Sequence, residues 1–383
     1  MGLFDIFKRW RSVSWARYDE YHGGDESSSG ACVTVETALG VPAVFACVRV
    51  LAESIAALPL ITYERLENDD KRRARDFSLY PILHDIPNPL MTASELWEMM
   101  AGHLALRGNA YAYIERDAGE VVALWPLHPD RMKIELKNRL LVYSYQNDET
   151  EVNYRAADIL HIRGLSSDGI IGYSPLQLCR DTFGSAIAVR EFSSRYFKND
   201  ASPGGILTTP NALSQTQTEA IREGWNKGFQ GSKKAHKTAV LGGDLKWQAV
   251  GISPEDSQMI DTMKFSVVEI ARIFRVPLNL VMDYERSTYS NVTEQNRSFL
   301  THTLRPWLTR IEQAVYKALL TEEEKKRYFA EYLTADLLRG DTKSRYEAYE
   351  IGKRAGFLTV NEIRTAENLN RIEGGDSLST NQS

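Results

Sequence analysis

The side chains of this sequence that could do chemistry are concentrated in two short polar segments. The first, "DYERSTYSN" at positions 283–291, lies between two apolar helical patterns and combines charges of both signs with hydroxyl groups. The second, "GSKKAHKT" at positions 231–238, is a basic loop whose cationic or titratable side chains are Lys233, Lys234, His236 and Lys237. Such segments can contact phosphates or a partner protein. Polar surface loops have the same composition, so that interpretation stays open for both.

No catalytic motif accompanies these segments. The sequence lacks the Gly-x-x-x-x-Gly-Lys-Ser/Thr loop that cradles nucleotide phosphates, the Gly-x-Ser-x-Gly elbow and the His-Glu-x-x-His pair. The histidines are scattered without the spacing of metal ligands. Asp181 and Glu191 lie on one predicted helix, but nothing marks them as an acid–base pair. We therefore expect a binding or assembly protein without enzymatic activity, cofactor or metal.

Chain length and net charge limit the functions that this protein could have. The chain has 383 residues, enough for a sizeable core, and 46 Lys plus Arg oppose 51 Asp plus Glu, for a net charge of -5. A protein that holds nucleic acid tightly normally presents a basic surface. The slight excess of negative charge argues against a general nucleic-acid binder. It is compatible with a protein past which nucleic acid slides.

Cysteine usage and hydropathy indicate a reducing compartment and no membrane span. The three cysteines are far apart and form no Cys-x-x-Cys pair: Cys32, Cys47 and Cys179. The longest apolar run, at 41–61, carries Arg49 and Glu53, so it predicts a core helix.

The elements that must position the two polar segments differ between the halves of the chain. The first half predicts an α+β unit, with helices at about 41–58 and 94–106 and strands at 60–63, 110–116, 121–126, 132–136, 140–146 and 159–162. Ser94 is the expected cap of the second helix, and Gly108 is expected to end it.

The second half predicts long helices around a small insert. One helix begins at Ser174-Pro175 and continues to about 199, and another spans 254–274. Between them we expect a strand at 205–209, a helix at 214–228, and a hairpin of 238–241 with 245–250. Gly184 and Ala188 are small enough for close helix packing, either within the chain or between copies.

A third long helix is predicted at about 291–320. Pro306 lies inside its pattern, so it removes the bond to the carbonyl of His302 and should kink the helix. Short helices are expected at about 342–355, ending at Gly356, and from Thr359, whose spacing to Glu362 makes a capping box. The tail from 374 is expected to be disordered.

Four segments carry a family resemblance. They are "GNAYAYIERDAGEVVALWPLHPDRM" (108–132), "YSPLQLCRDTFGSAIAVREFSSRYFKNDASPGGILTTP" (173–210), "SPEDSQMIDTMKFSVVEIARIFRVPLNLV" (253–281) and "TYSNVTEQNRSFLTHTLRPWLTRIEQAV" (288–315). With the order of elements, they resemble the portal proteins of tailed double-stranded-DNA bacteriophages, the head-to-tail connectors of the lambdoid-type capsid lineage. The resemblance covers essentially 33–372.

The resemblance implies the α+β portal fold and its division into regions. These are an N-terminal arm and flexible linker (1–32), a wing (33–172 and 275–333), stem helices (173–199 and 254–274), a clip (200–253), a crown (334–373) and a disordered tail (374–383). The wing includes the kinked helix and a tunnel loop.

The resemblance also implies a function and partners. A portal protein forms a dodecameric ring at one capsid vertex, the channel for DNA packaging and ejection. The implied partners are further copies of the chain, double-stranded DNA bound without sequence specificity, the terminase large subunit, a head-completion or adaptor protein, and the major capsid and scaffold proteins. The implied location is the virion, after assembly in the host bacterial cytoplasm, with no membrane contact.

The polar segment 283–291 occupies the tunnel-loop position of the family. The residues that would face DNA are Tyr284, Glu285, Arg286, Ser287, Thr288, Tyr289, Ser290 and Asn291. A ring of mixed charge and hydroxyls can touch phosphates weakly, whereas a strongly cationic ring would hold them. The basic segment at 231–238 would lie in the clip, where it could dock a partner or contact DNA.

Two other functions compete with the portal interpretation. One is a different structural component of a capsid or scaffold. The other is a nucleic-acid-processing packaging enzyme, which would need the phosphate loop that this sequence lacks.

Overall fold

The computed structural model of the chain is a mixed α+β structure. It describes residues 25–67, 70–137, 140–148, 150–198, 205–210, 212–229, 246–249, 254–283, 295–334, 342–367 and 369–378. The elements of the first half are β1 Asp25–Glu26, β2 Cys32–Val33, α1 Val35–Leu39, α2 Pro42–Ala56, β3 Leu60–Arg65, β4 Lys71–Arg73, α3 Leu79–His84, α4 Ala93–Arg107, β5 Asn109–Asp117, β6 Glu120–Leu127, β7 Met132–Lys137, β8 Leu140–Gln146, β9 Glu151–Arg155 and β10 Ile159–Arg163.

The second half is mainly helical. Its elements are α5 Pro175–Leu178, α6 Arg180–Lys198, β11 Gly205–Thr208, α7 Gln215–Phe229, β12 Lys246–Ala249, α8 Pro254–Phe274, α9 Arg305–Leu319, α10 Glu322–Arg327, β13 Tyr328–Tyr332, α11 Thr342–Arg354 and α12 Val360–Ala366. The expected α+β class is confirmed, as is the long helix predicted at 254–274.

Helices α2 and α4 form the centre of the main core. Leu51 and Ile55 on α2 and Leu96 and Met100 on α4 are all almost fully buried, at the four-residue spacing of one helix face. Helix α4 begins two residues earlier than expected, because Thr92 and not Ser94 is its cap. The Thr92 side chain accepts a bond from the backbone of the third residue of the helix.

Three antiparallel sheets surround this helical core. Their strand orders are β10-β5-β6, β7-β8-β9 and β13-β3-β4. The first two sheets enclose a small second core of Tyr111, Leu127, Tyr143 and Ile159. The third sheet joins distant parts of the chain, since β13 pairs with β3 from Tyr328 opposite Glu64 to Tyr332 opposite Leu60.

The helix predicted from Ser174 is interrupted near its start. Short α5 ends at Leu178, Cys179 has a non-helical backbone, and α6 begins at Arg180. Ser174 caps α5 as expected, since its Oγ accepts a bond from the backbone of Gln177. The apolar spacing of the sequence does not reveal this break.

The third long helix changes type before Pro306. Residues Phe299–Leu304 form a π-helical segment, in which the N–H of Arg305 donates to the carbonyl of Leu300. Pro306 then lies in the first turn of α9, where its missing N–H costs little. The structure therefore has a π-helical segment before Pro306, and the expected kink stays a prediction.

The C-terminal part is more ordered than expected. Gly356 has a left-handed backbone after α11, and Thr359 and Glu362 form the predicted capping box. The backbone N–H of buried Asn361 donates to the carbonyl of Gly375. The first residues of the tail predicted to be disordered therefore form a turn that packs on α12.

Candidate functional site

The predicted tunnel-loop residues Tyr284–Asn291 lie outside the described residues, but the chain on both sides of them is described. On the near side, the 3-10 helix Leu278–Val281 leads to Met282, which has a left-handed backbone (φ 64°) and an exposed side chain. The N–H of Asp283 donates to the carbonyl of Leu278 at 3.0 Å. The segment therefore turns sharply at the point where the loop begins.

Two side-chain hydrogen bonds join the near and far sides of the loop. Asn279 Nδ2 donates to Asn296 Oδ1 at 3.0 Å, and Asn279 is only 4% exposed. Thr303 Oγ, also buried, donates to the carbonyl of Arg275 at 2.7 Å. We call these four residues the loop base. They were not identified from sequence, because a polar residue between Leu278 and Leu280 carries no information about its distant partner.

The predicted basic residues Lys233, Lys234, His236 and Lys237 also lie outside the described residues. The strands on either side of the segment that contains them are neighbours. Strand β11 pairs antiparallel with β12, from Gly205 opposite Ala249 to Thr208 opposite Lys246. Residues 245–250 were expected to pair with 238–241. The described partner of β12 is instead β11, and residues 238–241 lie outside the described part of the chain.

Helices α6 and α8 pack against each other in the core where α6 begins and α8 ends. Phe183 and Phe274 are buried with ring centroids 6.1 Å apart. Farther from this contact, Phe192 on α6 is 56% exposed and Phe265 on α8 is 61% exposed. The pair therefore leaves the body along α6 and returns along α8, and the insert of β11, α7 and β12 lies between them in sequence.

The start of this helix pair is attached to the sheet region through backbone contact between two glycines. Gly108 has φ 68°, and a Cβ there would lie 1.8 Å from the carbonyl oxygen of Tyr173. A Cβ on Gly172 would lie 2.0 Å from the carbonyl oxygen of Gly108. Asn109 completes the junction, since its Nδ2 donates to the Gly172 carbonyl and its Oδ1 accepts from the Gly172 N–H. No other residue than glycine fits at these two positions.

The N-terminal hairpin of β1 and β2 packs against α6. The N–H of Ser28 donates to Asp181 Oδ1 at 2.9 Å, and this bond holds the pKa of Asp181 below its usual value. A Cβ on Gly184 would lie 2.1 Å from Ser27 Oγ. The close approach at Gly184 is therefore made to Ser27 of the same chain. Asp181 helps to hold the hairpin on α6 through its bond to Ser28.

His161 lies in a buried polar network and has no metal-ligand geometry. Its Nε2 lies 3.0 Å from Asn109 Oδ1, while its Nδ1 lies 3.2 Å from the Tyr143 hydroxyl and 3.1 Å from Arg163 Nε. These partners fit a neutral ring that donates from Nε2 and accepts at Nδ1. Burial, followed by the charges of Arg163 and Lys317, lowers the pKa of His161 to about 2. The ring acts as a packed hydrogen-bonding group.

Two of the three cysteines have thiols with raised pKa values. Burial raises the pKa of the Cys47 thiol to about 12 and also raises that of Cys179, so neither is a reactive thiolate at neutral pH. Within the described residues, no group of three or more His, Cys, Asp or Glu side chains could hold a metal ion. None of the described helices is long and apolar enough to cross a membrane.

Known proteins resemble this chain over nearly its whole length. The family model described as phage portal protein matches residues 42–368. The portal protein of Enterobacteria phage HK97 is 33% identical over 363 residues, which cover 93% of this chain and 84% of that protein. The probable portal protein of Streptomyces phage phiC31 is 33% identical over 380 residues, which cover 94% and 82% of the two chains.

The structural similarity extends to a particle component. A chain in the neck of a native gene transfer agent particle, computed with C12 symmetry, is 25% identical and superposes with a TM-score of 0.62. The match covers 87% of this chain and 91% of that one. The family model spans most of the chain, and the HK97 relative exceeds 30% identity over most of it. This chain belongs to the phage portal protein family.

Proposed function

We propose that this protein is the subunit of a dodecameric ring at one vertex of a phage capsid, where it forms the channel for DNA packaging and ejection. Family membership supports a portal role. A similar chain lies in a particle neck with C12 symmetry, which supports twelve copies and a location in the virion.

The observation that carries the proposal is the helix pair α6 and α8. Its buried end at Phe183 and Phe274 joins the body, and its exposed end carries Phe192 and Phe265. A single subunit gains nothing from exposing these rings. In a ring, neighbouring helix pairs would cover them and would form the wall of a channel, with the insert at one mouth.

We assign regions to this ring as the family resemblance implies. The wing comprises 33–172 and 275–333, the stem comprises the helices at 173–199 and 254–274, the clip comprises 200–253, and the crown comprises 334–373. The clip is the proposed docking site of the terminase large subunit and later of a head-completion or adaptor protein. Major capsid and scaffold proteins would contact the assembled ring.

The segment 283–291 is the proposed tunnel loop. The loop base supports this role, because Asn279 and Thr303 fix both ends of the segment to buried structure. A polar loop on a rigid base can project into a channel and contact phosphates without binding them tightly. The energy for DNA movement would come from a partner, since the sequence has no nucleotide-phosphate loop.

Negative-stain microscopy of the purified full-length protein tests the proposal. We expect rings with a central hole and twelve-fold class averages. Shells, filaments or monomers at every protein concentration would contradict it and would favour another structural capsid component. A matched variant with Phe192→Glu should weaken ring formation, because it places a charge where two subunits would meet.

Arg286→Ala tests the tunnel loop separately from the ring. We expect rings of normal appearance and, in assembled particles, altered packaging or genome retention. Arg75→Ala is the control, since Arg75 lies outside both the loop and the loop base and is solvent-exposed. Unchanged packaging and DNA retention in Arg286→Ala particles would count against the role of the loop.

A further inference from the structure

A cleft of about 680 Å³ lies between the sheet strands β8 and β10 and the helix α9. Five cationic side chains line it: Arg116, Arg163, Arg310, Lys317 and Lys325. The single acidic side chain in the lining is Glu322, which pairs with Lys325. We call this the cationic cleft, and we propose that it binds an acidic peptide segment of a partner protein, with apolar residues between its carboxylates.

The arginines of the cationic cleft are held in place without being neutralised. Arg116 donates to the carbonyls of Gly119 and Ala318. Arg310 donates to the carbonyl of Arg163. Arg163 itself donates to the carbonyl of Gly169 and to His161. Each guanidinium has five N–H donors, so every one of the three keeps donors for a ligand.

In the described part of the chain, four of the five cleft cations have no carboxylate partner. Arg116, Arg163, Arg310 and Lys317 form no ion pair with any carboxylate there. Four positive charges therefore converge on one wall. His161 also lines the cleft. Burial is the main cause of its lowered pKa, and the positive charges of Arg163 and Lys317 lower that pKa further. Pre-positioned, unpaired guanidinium groups are the usual recognition element for acidic motifs.

The floor of the cleft decides which anion fits. It is apolar and consists of Leu141, Ile159, Ala314, Ala318 and Leu320. The volume falls within the roughly 300–1,000 Å³ typical of pockets that enclose a ligand. A peptide of alternating acidic and apolar residues places carboxylates on the cations and aliphatic side chains on the floor. Duplex DNA presents phosphates on a polar, convex surface and has nothing to fill the floor.

A fluorescein-labelled model peptide in which Asp and Glu alternate with Leu tests this inference on the full-length protein. Fluorescence anisotropy at about 50 mM salt should show saturable binding that weakens as salt screens the charges. A peptide with Ser in place of Leu should bind more weakly, because it cannot use the floor. Labelled duplex DNA of similar charge should bind no better than the Ser peptide.

Two cleft variants and one control locate the binding. Lys317→Glu should weaken the Leu peptide about tenfold, because an exposed cleft cation without a partner becomes an anion. Ala157→Trp, at the exposed edge of the cleft, should block it sterically. Lys326→Glu is the matched control, since its side chain is 71% exposed and lies outside the cleft. It should bind the Leu peptide like the wild type.

The outcomes separate the possible occupants. Loss of peptide binding in both cleft variants with unchanged far-ultraviolet circular dichroism supports the inference. Absence of saturable binding, or equal binding by Lys317→Glu and the wild type, overturns it. Tighter binding of the duplex that is lost in Lys317→Glu would assign the cleft to DNA instead. A change in subunit number in Lys317→Glu alone would assign it to a second copy of the chain.

Discussion

Asn279 Nδ2 donates a hydrogen bond of 3.0 Å to Asn296 Oδ1, and this bond joins the chain before the polar loop to the chain after it. Asn279 is 4% exposed and follows Pro277, whose ring fixes one backbone angle. Asn296 lies in the helical stretch 295–298, which leads into the π-helical segment. The described chain before the loop is therefore tied to the described chain after it at buried Asn279.

Asn279→Ala should separate the two sides of the loop. Because exposed Asn296 can bond to water instead, we expect a modest loss of about 1 kcal/mol in the free energy of unfolding. Urea denaturation measures this loss. In assembled particles the looser base should reduce genome retention, measured as DNA content after heating, while rings still form.

Asn361→Ala is the matched control for that experiment. Asn361 is also buried, and it bonds to the backbone of Ile372 through both Nδ2 and Oδ1. We expect a comparable or larger loss of stability with unchanged genome retention, because this residue holds the C-terminal turn. Equal loss of retention in both variants would show that overall stability, and not the loop base, controls DNA retention.

Local signals predicted the helices well because they act over neighbouring residues. The Ser174-Pro175 start predicted where α5 begins, apolar spacing predicted α8, and Gly108 and Gly356 ended α4 and α11 as expected. The pairing of β13 with β3 was not predicted, because its register depends on residues far apart in sequence. The same limit explains why β11 and not a local hairpin strand pairs with β12.

The residues of the candidate site likewise divide into those that could be predicted from sequence and those that could not. The family resemblance gave the position of the polar loop, which stays a prediction, whereas neither Asn279 nor Thr303 could be identified from sequence. A hydroxyl or amide in an apolar run is compatible with a cap, a turn or a tertiary bond. The cationic cleft was equally hidden, since Arg116, Arg163 and Arg310 come from three separate segments.

Gly108→Ala should disrupt the junction between the sheets and the helix pair. The substitution puts a Cβ in a left-handed residue and 1.8 Å from a backbone oxygen, so both strain and steric overlap oppose folding. We expect a loss of more than about 3 kcal/mol in the free energy of unfolding, or failure to fold. Urea denaturation or soluble yield measures the effect.

Gly119→Ala isolates the backbone contribution to that loss. Gly119 also has a positive φ, of 95°, but a Cβ there meets no atom within 4 Å. We expect a loss of only about 1 kcal/mol from the strained backbone. Similar losses for the two alanine variants would show that the Gly108 contact with Tyr173 adds little.

Two buried histidines should make the protein less stable at mildly acidic pH. Burial lowers the pKa of His103 to about 4, and burial with two nearby cations lowers that of His161 to about 2. Below about pH 6.5 the unfolded chain takes up protons that the folded chain does not. Stability is then lost as pH falls from 6.5 towards 4, by about 1.4 kcal/mol per pH unit for each histidine.

Urea denaturation between about pH 7.5 and pH 5 tests this dependence. His161→Gln should lower stability at neutral pH and should reduce the slope by about half, because one of the two linked protons is removed. Glu312 acts in the opposite direction, since burial raises its pKa and the folded chain takes up its proton first. An unchanged slope in the variant would mean that the pKa of His161 is the same in the folded and unfolded chains.

Arg275→Gly should stabilise the protein at the end of α8. Arg275 has a left-handed backbone with φ 56°, and the next N–H, of Val276, donates back to the carbonyl of Ala271. This is the helix-ending geometry in which glycine is preferred, because a Cβ in that conformation costs roughly 1–2 kcal/mol. Part of that gain is offset by the greater freedom of glycine in the unfolded chain, so we expect a net increase of about 0.5–1 kcal/mol in the free energy of unfolding.

Arg275→Ala is the control for this prediction. It keeps the strained backbone while removing the exposed side chain, so it should leave stability nearly unchanged. Thermal denaturation of the two variants beside the wild type measures the difference, and an alanine variant as stable as the glycine variant would show that the left-handed backbone at Arg275 carries no strain.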